Sequence, residues 1–158
     1  MPARKDRLGV AAACLMTLLT VAGLSAARDE LGLVEAARNQ DEAQVRALLM
    51  RKADVNARSD DGSTALLWVS HWNDVPTVDL LIHAQADPNI ANDLGMTPLS
   101  RACTNGGAAL VELLLNAGAN PNTRIPTGET ALMTCASTGN VTAVRVLLAR
   151  GADVTAKE

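Results

Sequence analysis

No phenylalanine and no tyrosine occur in this sequence, so Trp68 and Trp72 are its whole stock of Phe, Tyr and Trp. A globular core built from 158 residues usually draws on several such rings to fill volume. The chain is nevertheless 48% apolar, and that mass is mostly Ala, Leu and Val. Such a composition suits thin, closely stacked helices, and the length suits one domain. Basic charge is also short. Arg4, Lys5 and Arg7 take three of the 14 basic residues and Asp6 takes one of the 17 acidic ones, which leaves residues 28–158 with 11 against 16, net −5. That balance repels a phosphate backbone, and no Lys/Arg cluster offers a local exception. Nucleic acid is excluded as an expected partner.

Motifs for chemistry are missing as well. After residue 27 there is no P-loop, no G-x-S-x-G, no H-E-x-x-H, no C-x-x-C and no calcium loop. Of the two histidines, His83 follows Leu81-Ile82 and faces solvent by helical period. His71 stands beside Trp72 and has no second ligand at a metal-binding spacing. The expectation is a protein that is not an enzyme, with no cofactor and no metal. Asn140-Val141-Thr142 matches a glycosylation sequon, but it falls where a turn between helices is needed.

The chain has one long uncharged run, Leu8–Leu24, broken only by Thr17 and Thr20. Basic residues precede it, and Ser25-Ala26-Ala27 and then Arg28-Asp29-Glu30 follow. A basic start, an apolar middle and small residues at the cleavage site are the three parts of a secretory signal. Residues 1–27 are therefore expected to be a signal peptide cut after Ala27, giving a periplasmic or secreted protein. The alternative is an uncleaved membrane anchor, for which seventeen Ala- and Gly-containing residues are slightly short. Cys14 has too few apolar residues before it for a lipoprotein signal.

What fills the remainder is a repeat of 33 residues. Gly62–Leu67, Gly95–Ser100 and Gly128–Met133 recur at that interval. So do Ala53–Asn56, Ala86–Asn89, Ala119–Asn122 and Ala152–Thr155, and the triplets Val45/Leu48/Leu49, Val78/Leu81/Ile82, Val111/Leu114/Leu115 and Val144/Leu147/Leu148. Each unit reads as a glycine turn, then a Thr N-cap (Thr64, Thr97, Thr130) and a short helix. A break at Gln40, Asn73, Gly106 or Gly139 follows, then a second helix with an i, i+3, i+4 apolar stripe. A helix pair this small cannot bury its own apolar face, so the units must stack.

The pattern resembles the ankyrin repeat, with Thr97-Pro98-Leu99 and the Gly-Ala-Asp/Asn elements at 118–120 and 151–153 intact. The resemblance, to exported members of bacterial type, covers about residues 29–158. It implies an all-α solenoid of about four helix-turn-helix repeats joined by hairpin loops, at roughly 29–60, 61–93, 94–126 and 127–158. Leu67, Ser100 and Met133 replace the family's usual His, and Lys52 and Gln85 stand where a capping Gly is usual. The first unit has a polar outer side, as a terminal cap requires.

The resemblance also implies function: a non-catalytic module that binds a partner protein on its concave face. Its binding positions correspond here to Asp61 and Ser63, Leu94 and Met96, and Thr127 and Glu129 on the turns. On the helix ends they correspond to Arg38 and Asn39, His71 and Trp72, Thr104 and Asn105, and Ser137 and Thr138. Trp72 lies at the edge of the buried Leu66/Val69 side, which offers two readings: a binding hot spot, or a ring folded over Trp68. Other roles for the chain are the recognition portion of a larger exported enzyme or toxin, or a structural spacer. Cys103 and Cys135, 32 residues apart, are expected to be two buried free thiols, because stacked helices usually lie about 8–10 Å apart and a disulfide needs Cα atoms within ~7 Å. The last unit keeps the apolar pattern of an interior repeat. It predicts self-association through that uncapped side, or a solenoid that continues.

Overall fold

In a computed structural model, residues 31–157 other than 106 are described, and they form eight helices in four antiparallel pairs. We number them α1 (31–38), α2 (Glu42–Met50), α3 (Ala65–His71), α4 (Val75–His83), α5 (Pro98–Thr104), α6 (Ala108–Asn116), α7 (Ala131–Ser137) and α8 (Val141–Ala149). Extended structure among the described residues is limited to single bridges, Arg58 with Thr64 and Arg124 with Thr130, at the necks of hairpin turns. The fold is the expected all-α solenoid. Residues 1–30, and with them the leader and Cys14, lie outside the described residues, as does Gly106.

Helices of seven and nine residues are too short to persist alone in water. Their ends are therefore closely managed. The hydroxyls of Thr64, Thr97 and Thr130 accept the N–H groups of Leu67, Ser100 and Met133 at 3.2, 3.2 and 3.3 Å. The residues that replace the family's His are put to local use. Ser100 accepts the N–H of Thr97 at 2.9 Å, which completes a capping box, and Leu67 joins the core. The outer helices α2, α4 and α8 are capped by Asp41, Asp74 and Asn140, so Asn140 of the sequon serves a helix end. Lys52 and Gln85 take φ of 62° and 70° at the sites where Gly118 and Gly151 take 91° and 81°. Each non-glycine residue in that left-handed region costs roughly 1 kcal/mol.

Stacking supplies the stability. The inner helices pack as α3 on α5 on α7, and the outer ones as α2 on α4 on α6 on α8. One apolar cluster runs through all four repeats, from Leu33 and Val45 to Cys135 and Leu147. The repeats are also tied at the hairpin ends by an asparagine ladder. Asn56, Asn89 and Asn122 accept, through Oδ1, the backbone N–H of Asp87, Asn120 and Asp153 in the following repeat, at 2.8, 2.8 and 2.7 Å. Asn89 and Asn122 also donate to the carbonyls of Gly118 and Gly151. The fourth rung is Thr155, whose hydroxyl turns back to Asp153.

The two cysteines overturn their expectation. Cys103 and Cys135 form a disulfide between α5 and α7, with Cα atoms 4.6 Å apart and both side chains fully buried. Average helix spacing does not apply to these inner helices, because their facing positions are small: Ala102, Cys103, Ala131 and Cys135. Small side chains let the backbones approach. A separation one short of the period also brings the forward-facing position of one helix opposite the backward-facing position of the next.

Candidate protein-binding face

The inner helices and the hairpin turns present one continuous surface, and the 33-residue period arranges it in columns. Glu35, Trp68, Arg101 and Thr134 occupy one register position; Arg38, His71, Thr104 and Ser137 the next; Asn39, Trp72, Asn105 and Thr138 a third. Three recesses lie along it. One of about 600 Å³ is bounded by Leu31, Arg38, Asp61 and Trp68. The second, about 180 Å³, is bounded by Asp61, Leu67, Trp68, His71, Leu94 and Arg101. The third, about 290 Å³, lies among Met96, Thr104, Glu129, Thr134, Ser137 and Thr138.

An aromatic and cationic cluster marks its centre. The Trp68 and Trp72 rings stack with centroids 6.5 Å apart and planes 23° from parallel. His71 meets the edge of Trp72 at 4.7 Å, and the Arg38 guanidinium lies over Trp68 at 5.1 Å. Trp72 folds over Trp68, as one of its two readings expects, and yet remains 40% exposed. Leu94, 70% exposed, stands near on the next turn. Large apolar side chains left in water on one patch are a mark of interaction surfaces.

The other positions divide by what their polar atoms do. Arg38, Asn39, Asp61, Thr104, Asn105, Thr127, Ser137 and Thr138 are exposed, and Met96 and Glu129 are half-buried. Ser63 is buried and donates to Asp61 at 2.9 Å, so it shapes the turn from within. Asp61 accepts from the Ser59 hydroxyl at 2.5 Å as well as from Ser63. The Ser59 hydroxyl, followed by the Ser63 donors, holds the Asp61 carboxyl below the usual carboxylate range. Glu129 accepts from the Thr134 hydroxyl at 2.8 Å. Asn105 donates to the carbonyl of His71 and Thr138 to that of Cys103, so these two fasten successive repeats while lying on the surface.

Sequence reading missed Arg101 and the surface part of Trp68. The signal was present, since position 101 is one period from Trp68 and three before Thr104, on the same helix face. Among the described residues no group of His, Cys, Asp and Glu could hold a metal, and no helix is long and apolar enough to cross a membrane.

The family model described as ankyrin repeats (3 copies) matches residues 33–125 and 69–158, which together span the fold. No curated protein matches the chain.

Proposed function

The chain belongs to the ankyrin-repeat family, whose repeats are generally protein–protein interaction modules, and on that footing we propose that it is an exported module that binds a partner protein on its concave face. The observation that carries this reading is the Trp68–Trp72 stack, with Trp72 and Leu94 left exposed beside it. A passive spacer has no use for an indole kept 40% in water. Holding Trp72 against Trp68 removes side-chain freedom before a partner arrives, which lowers the cost of binding. Export rests on the leader, residues 1–27, and gains support from the Cys103–Cys135 disulfide, a bond that persists mainly in oxidising compartments. The partner remains to be identified by crosslinking in the native host. Against that partner, Trp72→Ala should weaken binding by about 2 kcal/mol or more, while Glu112→Ala on the outer surface of α6 should leave it unchanged. Equal binding by both variants would remove the concave face from the proposal.

A further inference from the structure

Arg101 is the one basic residue of α5, and its guanidinium has no partner among the described residues. Among the described residues its guanidinium makes no hydrogen bond or ion pair, and its Nε is buried without an acceptor. The two terminal nitrogens, equally unpartnered, are not buried, and the side chain lines the 180 Å³ recess beneath Leu94. Other arginines contrast with it. Arg46 pairs with Glu42, Arg58 bonds the carbonyls of Gly62 and Ala91, and Arg124 bonds that of Lys157. A buried Nε–H with no acceptor, on a side chain whose charged end stays open, calls for an explanation.

The recess holds one acid, Asp61, whose carboxylate is already occupied by Ser59 and Ser63. Beside Arg101, the remaining walls are Ser63, Leu67, Trp68, His71, Asn92 and Leu94. With Arg38 nearby over Trp68, this gives a patch of arginine, aromatic and aliphatic groups on a chain whose residues 28–158 carry net −5 in all. Resting on the reading of the concave face as the binding surface, we propose that the recess is the specificity pocket of that surface. It receives a side-chain carboxylate of the partner, Asp or Glu, in a segment that also lays an aliphatic or aromatic side chain on Leu94 and Trp72. The guanidinium supplies two parallel donors matched to a carboxylate. The indole and leucyl surfaces exclude water from that pair and so strengthen it.

A displayed library of random peptides with blocked C-termini, panned against the full chain, tests this directly. The bound peptides should be enriched in Asp or Glu at a fixed short spacing from a large apolar residue. Their affinity should fall about tenfold or more on Arg101→Gln and stay constant on Arg145→Gln, an exposed arginine of α8. Thermal melting of Arg101→Gln at the parent temperature separates lost recognition from lost fold. If Arg101→Gln melts early, Asp/Glu enrichment on the unaltered chain decides the matter. Peptides that compete at Trp72 but show no acidic preference, or bind Arg101→Gln equally well, would overturn the carboxylate pocket and leave the concave face standing. Failure to enrich any peptide sensitive to Trp72→Ala would overturn both.

Discussion

Asn89 reaches from the second repeat into the third, accepting the backbone N–H of Asn120 at 2.8 Å and donating to the carbonyl of Gly118 at 3.1 Å. The bonds join repeats that are otherwise tied by packing and by the bond from Asn105 to the His71 carbonyl, so the ladder acts on the coupling between neighbours. Asn89→Ala removes both and leaves the Asn120 N–H for water to satisfy. It should lower stability by about 1–2 kcal/mol in urea titrations, with a shallower transition as coupling weakens. An unchanged midpoint and slope would show that the ladder merely accompanies the stack.

The buried disulfide makes a second tie, between repeats three and four. It closes a loop of 32 residues, which by chain entropy is worth about 3–4 kcal/mol. Reduction after brief unfolding, or Cys103→Ala with Cys135→Ala, should therefore lower the melting temperature and loosen the fourth repeat first. Amide exchange reads this: protection of α7 and α8 should fall while that of α3 and α4 persists. Uniform loss across the fold would refute a local staple.

The proposed export joins the expected leader to the same cysteines. Under that proposal, protein from the native host should have a mass that begins at Arg28 and no free thiol, because Cys14 would leave with residues 1–27 and Cys103 and Cys135 are joined. A full-length chain in the cytosol with three reactive thiols would end the proposal of export.

The outer side of the fourth repeat is another exposed apolar surface. Leu99 and Leu115 are buried in the third repeat, at 0% and 6% exposure. One period later Leu132 is half-buried and Leu148 is 43% exposed. Val154 adds a side chain that is 71% exposed. The protein should therefore self-associate in light scattering, and Leu148→Lys should reduce association with little effect on melting. A strictly monomeric parent would sink the idea.

Much of this was legible from periodicity. The interval of 33, the Thr caps, the apolar triplets and the left-handed sites at Lys52 and Gln85 are local or strictly repeated, so the sequence by itself determined the solenoid and which positions line its inner face. It also held the columns that contain Arg101, although spacing alone could not tell which polar groups are already satisfied. Ser63 turned out to be buried, Glu129 engaged by Thr134, and Arg101 left without an acceptor. The Glu129–Thr134 bond spans only five positions but needs the turn and helix folded together, and other ties reach residues 29 to 35 positions away, as in the bonds of Asn92 to Ser63 and Thr138 to Cys103. The disulfide shows the same division most sharply. The sequence set two cysteines one residue short of a period, but the close approach of α5 and α7 follows from small side chains on both helices meeting across the stack. Only the tertiary structure decided that.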